Sequence, residues 1–135
     1  MPFDRLRPDM EIVLTLDPYA PRAARHRVAQ VGRPSPDLRD AIKLLCSELV
    51  TQAVERSADG GSIELRMWMP EDVVRVELEG SHSTVGVRAP DPRTFAALLL
   101  NQIADRWALD IIDEHACIWY EIDRHAAPVA MARAS

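Results

Sequence analysis

Glycine is scarce in this chain of 135 residues. Closely spaced glycines, as in Gly-x-Gly, let the backbone come near a phosphate and offer it several amide groups. No pair in this sequence has that spacing, so the glycines alone predict no glycine-rich phosphate loop. The chain contains only five of them: Gly32, Gly60, Gly61, Gly80 and Gly86.

The chain also has few cysteines and fewer basic than acidic residues. The two cysteines, Cys46 and Cys117, do not form a Cys-x-x-Cys pair, which favours two reduced, buried thiols in a cytoplasmic protein. The net charge of −5 disfavours nucleic acid as a partner, because a phosphate backbone requires a concentrated basic surface. The histidines lack metal-ligand spacing, so no metal site is expected; they are His26, His82, His115 and His125.

Long apolar runs are absent as well. No stretch approaches the ~20 apolar residues of a membrane span, and the first five residues lack the apolar segment of a signal peptide. We therefore expect no membrane partner and a cytoplasmic location. With 47% hydrophobic and 27% charged residues, residues 1–135 are expected to fold as one domain, with a loose arm at 1–10 and a flexible tail at 124–135.

The first half of the chain predicts one strand and two helices. Residues 11–16 alternate apolar and polar side chains, as in a half-buried strand. Asp17 and Pro18 then predict the start of a helix that ends near Gly32. Ser35 is a good N-cap and Pro36 fits the first helical position. The helix that they begin is expected to be the central buried one, with Cys46 facing the interior, and to extend to about residue 57.

The second half predicts two hairpins separated by a helix. Residues 63–69 and 74–78 alternate around a tight turn at 70–72, which indicates an antiparallel hairpin. Residues 80–90 have no clear period and indicate a loop. A third helix is expected from residue 91 or 92, and residues 109–113 and 116–123 form the last hairpin. The predicted core face of this helix, which is expected to end at Trp107, comprises Phe95, Leu98, Leu99, Ile103 and Trp107.

This order of elements predicts the fold class. Strand, helix, helix, strand, strand, helix, strand, strand is typical of an α/β (α+β) two-layer sandwich. Its sheet should be mostly antiparallel, with about three helices on one face. Periodicity supports the fold alone and carries no information about function.

One segment of the second helix resembles a known motif. Residues 47–54 read Ser-Glu-Leu-Val-Thr-Gln-Ala-Val, which resembles the N box of the GHKL (histidine-kinase-like) ATPase superfamily, in its anti-sigma-factor serine kinase branch. That branch usually has Asn where this chain has Gln. Three shorter segments support the resemblance, which covers about residues 11–123: Ala-Ala-Arg at 23–25, Ala-Asp-Arg-Trp at 104–107 and the closing strand at 118–122. The resemblance implies a Bergerat-type ATP-binding fold.

The resemblance assigns roles to two residues of the N box. Glu48 takes the position of the carboxylate that can act as a base toward the attacking hydroxyl. Gln52 replaces the Asn that binds Mg²⁺, and its carboxamide lies one methylene further out. Since Mg²⁺ requires oxygens at about 2.0–2.1 Å in near-ideal octahedral geometry, this change implies a weakened metal site.

The two glycine motifs of the family are altered more severely. The Asp-x-Gly-x-Gly that contacts adenine falls on residues 80–84, with Gly80 (or Glu79, after a shift of one residue) at the Asp position. Ser81 follows, and His82 and Thr84 replace the glycines. The phosphate-wrapping Gly-x-Gly-Leu falls on residues 94–97, which begin with Thr94 and contain no glycine. The resemblance therefore implies a degenerate ATP site and no cofactor.

The expected function is a regulatory protein of the anti-sigma-factor type that acts by protein–protein binding. The resemblance implies a sigma factor or a STAS-domain antagonist as partner, and allows a homodimer. It places the contact on the first helix, at Arg22, Arg25 and His26, and around the former lid. A basic helix face that is merely solvated is the alternative interpretation of those residues.

Three other hypotheses stay open. The first is a working serine kinase that uses Mg-ATP and depends on Glu48. The second is a different small ligand in the old pocket. The third is nucleophile chemistry at the serine-rich segment around His82, although no orienting acid is fixed nearby in the sequence.

Overall fold

The computed structural model describes residues 6–57, 60–86 and 94–124. Within them the chain forms three α-helices and a five-stranded sheet, joined in one place by a short π-helical turn. In chain order the elements are β1 (Met10–Thr15), α1 (Ala20–Val28), α2 (Pro36–Arg56), β2 (Ser62–Trp68), β3 (Val73–Ser81), the π-helical turn (His82–Gly86), α3 (Phe95–Ile103), β4 (Arg106–Ile112) and β5 (His115–Asp123).

The sheet is antiparallel throughout, with strand order β1-β2-β3-β5-β4. Alternate residues of the strands are apolar and buried on one face, for example Leu65, Val76 and Tyr120. The buried residues of the helices join them in a single core. These features confirm the predicted two-layer α/β sandwich with its mostly antiparallel sheet. Among the described helices, none combines the length and apolar character that a membrane crossing requires.

Helix α2 begins where the sequence predicted. The Ser35 Oγ accepts a hydrogen bond from the Leu38 amide at 3.2 Å, and Pro36 occupies the first turn. This cap satisfies one of the amides that a helix start leaves without an internal partner. The helix then crosses the core and buries Ile42, Leu45, Cys46, Leu49, Val50 and Ala53. Cys46 is interior, as predicted.

The predicted core face of α3 is wrong in part. Phe95 and Leu98 are 58% and 52% exposed, whereas Ala96, Ala97, Leu99 and Leu100 are buried. Ala96 and Leu100 are four residues apart, so they share one face, and the small alanine side chain lets that face pack closely against α2. Of the other predicted members, Leu99 is buried, Ile103 is half-buried, and Trp107 belongs to β4, where its indole donates to Asn101 Oδ1 at 3.0 Å. The predicted start at residues 91–92 lies outside the described residues.

Of the predicted arm, residues 6–9 are described, and they attach to the end of β2. The Trp68 indole donates to the Leu6 carbonyl at 3.0 Å. The Asp9 carboxylate accepts from the Met69 amide at 2.6 Å, and the Asp9 amide donates to the Met67 carbonyl at 2.8 Å. These bonds extend the sheet edge beyond β1. The predicted tail falls outside the described residues from 125 onward.

The segment predicted as a loop from residue 80 is also partly wrong. Gly80 and Ser81 still belong to β3, because they pair with Ala116 and His115 of β5. The π-helical turn at His82–Gly86 follows directly. Residues 87–90 of the predicted loop lie outside the described residues.

Candidate functional site

The two N-box residues lie one turn apart on α2, and both are half-buried. Gln52 lines a crevice between α2, α3 and the sheet together with Leu49, Val85, Ala96 and Leu100. The crevice has a volume of about 10 Å³, which is room for about one water molecule. Small-molecule sites usually measure ~300–1,000 Å³. The space beside Gln52 is therefore closed by apolar side chains of the described residues.

Gly80, the residue that the resemblance predicted at the adenine-contacting position, packs against Val85, which also lines the crevice. A β-carbon at Gly80 would lie 2.9 Å from Val85 Cγ2 and 3.0 Å from Ile63 Cγ2. Val85 itself is buried. The glycine thus serves close packing of the π-helical turn against β3, since no side chain fits between them without movement.

Ser81 and His82 lie away from Gln52, at the end of the sheet. Ser81, His82 and Ser83 border a surface depression with Asp113 and Glu114 of the β4–β5 turn. The Ser81 hydroxyl is within hydrogen-bonding distance of the Ser83 hydroxyl, at 3.1 Å, and donates to Thr84 at 3.0 Å. The His82 amide donates to the Glu114 carbonyl at 2.6 Å. The bonds of Ser81 fix the π-helical turn to the end of β3, and the bond of His82 fixes it to the β4–β5 hairpin.

Thr94, the first residue of the segment that the resemblance aligns with the phosphate-wrapping motif, is the N-cap of α3. Its Oγ1 accepts from the Ala97 amide at 3.2 Å. An amide at a helix start is one of the groups that can hold an anion. Here the Thr94 hydroxyl already satisfies that amide. The residues predicted for the ATP site therefore lie in three different places. Gln52 lines an inner crevice, Ser81 and His82 lie at the π-helical turn, and Thr94 caps α3.

Helix α1 presents a basic surface. Its last turn contains Arg25, His26 and Arg27, and its first turn has no acidic residue. Arg22 and His26 are exposed, whereas Arg25 is half-buried and donates to Ser47 Oγ at 2.9 Å. Arg25 therefore ties α1 to α2, and the other two side chains remain available at the surface.

No family model matches this chain, and no curated protein matches it at a significant level.

A charged network covers the face of the sheet opposite the helices, which we call the outer face. Arg75 is only 4% exposed; its guanidinium contacts Glu121 at 2.8 Å and Glu77 at 2.9 Å. Arg106 bonds to Glu121 at 2.7 Å and to Asp123. The two carboxylates raise the pKa of Arg106, with Asp123 contributing most. Charged residues at alternate positions of β3 and β5 were the available sequence signal, and sequence reasoning missed it.

The outer face also contains a concavity of about 660 Å³. Cys117 and Trp119 of β5 line it, with Glu79 of β3 and Asp110 of β4. The Trp119 indole donates to Asp110 Oδ2 at 3.2 Å, and the Arg75 guanidinium carbon lies 4.2 Å from the centre of the Trp119 ring. Burial, helped by the nearby Glu77 carboxylate, raises the pKa of the Cys117 thiol to about 12.

Proposed function

We propose that this chain is a non-enzymatic regulatory protein of the anti-sigma-factor type, which binds a protein partner and works without ATP. The observation that supports the proposal is the crevice beside Gln52, where Val85, Ala96 and Leu100 leave a volume of only about 10 Å³, whereas ligand pockets usually measure ~300–1,000 Å³. The GHKL-like scaffold that its N box suggests would then serve as a binding platform.

The basic surface of α1 is the proposed contact for that partner. Arg22, His26 and Arg27 are exposed on one helix, which suits an acidic segment because opposite charges guide association and fix its register. The resemblance of the N box favours a sigma factor or a STAS-domain antagonist, and it allows the protein to act as a homodimer. The proposal also places the protein in the cytoplasm, where the thiols Cys46 and Cys117, both free, would stay reduced.

Calorimetry with Mg-ATP tests the nucleotide part of the proposal. We expect no heat of binding beyond that of a titration with Mg²⁺ alone. Binding in the low micromolar range would contradict the proposal. A parallel incubation with labelled ATP and candidate antagonists tests the rival kinase hypothesis: phosphate transfer to a serine that disappears in Glu48→Ala would favour that hypothesis instead.

An affinity pull-down from the native cytoplasm tests the binding part. We expect a partner to be captured equally well with and without ATP. Arg22→Glu should weaken capture, because it reverses a charge on the α1 surface. Arg7→Glu is the matched control, since Arg7 is also exposed but lies on the arm beside β2. Equal capture by both variants would exclude α1 as the contact.

A further inference from the structure

Acidic groups outnumber basic ones on the outer face of the sheet. The strand registers place directly opposed residues on the same face, so the outward positions of all five described strands can be assigned. Its guanidinium groups are those of Arg66, Arg75 and Arg106, and its carboxylates are those of Glu11, Glu64, Glu77, Glu79, Asp110, Glu121 and Asp123.

All three arginines already have carboxylate partners on this face. Arg66 contacts Glu64 at 2.7 Å and Glu77 at 3.2 Å, and it also bonds to Glu79. Burial lowers the pKa of Arg66, but the bonds to Glu79 and Glu77 outweigh it and raise the pKa overall. With the basic groups engaged, the excess charge on the face is negative.

The concavity on this negatively charged face forms a pocket that a side chain could enter. Its floor includes Cys117, whose small side chain lies between Glu79 and Asp110 of the neighbouring strands. Trp119 lines the same site and already holds one guanidinium, that of Arg75, by a cation–π contact. Asp113, exposed in the β4–β5 turn, also lines the site. An indole together with several carboxylates is suited to guanidinium and ammonium groups.

We propose that the outer face of the sheet is a second docking surface, for an extended basic segment of a partner protein, with a cationic side chain seated in the concavity beside Trp119. A basic segment is the expected ligand because its positive charges complement the carboxylates of the outer face. The carboxylates extend from Glu11 on β1 to Asp110 on β4, which is about 19 Å at the usual spacing of strands. A single free amine covers only a fraction of that length, whereas a short basic segment covers all of it.

This surface lies on the opposite side of the sheet from α1. The molecule therefore has a basic surface in its helical layer and an acidic one on its outer face. Each can hold a partner of opposite charge at the same time. Binding at the outer face is independent of the proposed role of α1 and of the state of the nucleotide site, so separate experiments test each of them.

Binding of a synthetic peptide tests the docking surface. The probe is a fluorescent peptide of alternating arginine and serine, about eight residues long and thus long enough to cross the sheet. The same peptide with glutamate in place of arginine is the control. We expect the basic peptide to bind and the Asp110→Asn/Asp113→Asn variant to bind it about tenfold more weakly. Both changes preserve shape, and Asn tolerates the positive φ of 56° at position 113.

A second double variant with the same net charge as Asp110→Asn/Asp113→Asn distinguishes binding at a defined site from attraction by the overall charge of the protein. Asp40→Asn/Glu55→Gln removes two exposed carboxylates from α2, and we expect its affinity for the peptide to equal that of the unmodified protein. An equal loss in both double variants would overturn the proposal. So would self-association of the free protein that the Asp110→Asn/Asp113→Asn change abolishes, because the occupant would then be a second copy.

The thiol of Cys117 reports where the peptide binds. Cys46 is fully buried and Cys117 is half-buried, so prolonged alkylation of the folded protein at about pH 9 should modify Cys117 first. The reaction should be slow, because few Cys117 thiols are ionised below a pKa of about 12. The basic peptide at saturation should slow this reaction at least about fivefold, because a side chain in the concavity covers the thiol, and the acidic peptide should leave the rate unchanged. Binding of the basic peptide without protection of Cys117 would overturn the proposed site.

Discussion

The Cγ2 atom of Val85 lies 2.9 Å from the point where a β-carbon on Gly80 would stand. The glycine and the valine therefore belong to one packing unit that joins β3 to the π-helical turn. This unit is part of the core, and the first prediction follows from that contact.

Gly80→Ala should destabilise the protein by about 1–3 kcal/mol, the usual cost of an added methyl group in a filled core. Val85→Ala should remove part of that penalty, and the contact with Ile63 Cγ2 at 3.0 Å should account for the rest. We expect the double variant to be more stable than the sum of the two single effects predicts, which is the sign of coupling between residues in contact. Urea unfolding of the four proteins measures it. Additive effects would show that Val85 does not limit the space at Gly80.

Arg75 and Arg106 should differ strongly in their contribution to stability. Arg75→Met should cost about 3–5 kcal/mol, because it leaves the buried Glu121 carboxylate with less compensation. Arg106→Met should cost at most about 1 kcal/mol, since the Arg106 side chain is 49% exposed and water screens its ion pairs. Denaturant unfolding at low and high salt measures both. Equal losses would contradict the burial of the Arg75 network.

The hydroxyl of Tyr120 donates to the backbone carbonyl of Ile42 at 3.0 Å inside the core. It joins β5 to α2, and its removal in Tyr120→Phe should lower the free energy of unfolding by about 1 kcal/mol. Tyr19→Phe is the control, because Tyr19 is 75% exposed and its change should stay within about 0.5 kcal/mol. If the two substitutions had the same effect, the hydroxyl of Tyr120 would contribute nothing to the junction.

Stability should fall at alkaline pH. Burial raises the pKa of Cys46 from 9.0 to about 12, with a smaller opposing effect of Arg25. The folded thiol therefore keeps its proton above pH 9, where the unfolded thiol loses it. The stabilisation is complete below pH 9 and decreases by about 1.4 kcal/mol per pH unit for this group up to about pH 12. Tyr120, whose pKa burial also raises, adds to the decrease from about pH 10.

Urea unfolding between pH 8 and about pH 11 measures this decrease. The Cys46→Ala variant should be less stable at pH 8, because it leaves a cavity, but its stability should fall less steeply with pH. An unchanged slope in that variant would rule out Cys46 as a source of the pH dependence.

The sequence predicted the parts of the fold that depend on local signals. The start of α2 follows from Ser35 and Pro36, and the hairpins follow from strict alternation. The core face of α3 could not be predicted in the same way. Residues 95–100 are all apolar, so their pattern does not indicate which side of the helix faces the core. Only the packing of Ala96 and Leu100 against α2 fixes it.

The outer face was missed for a different reason. Arg75 and Glu121 are 46 positions apart, and they meet because β3 pairs with β5, a strand that is not its neighbour in the sequence. Local periodicity contains no information on such pairing. Likewise, the N box predicted Gln52 beside a pocket, but the side chains that fill the space, Val85 and Leu100, come from other elements.

The attachment of Leu6 to Trp68 has one more consequence. At the other end of the described chain, Arg124 donates to the Pro70 carbonyl at 2.6 Å, so residues 6 and 124 are both held at the turn between β2 and β3. Chain ends that lie together favour circular permutation. A short linker between these segments would close the polypeptide into a ring, and a new opening at the exposed β4–β5 turn would leave every strand pair of the sheet in place.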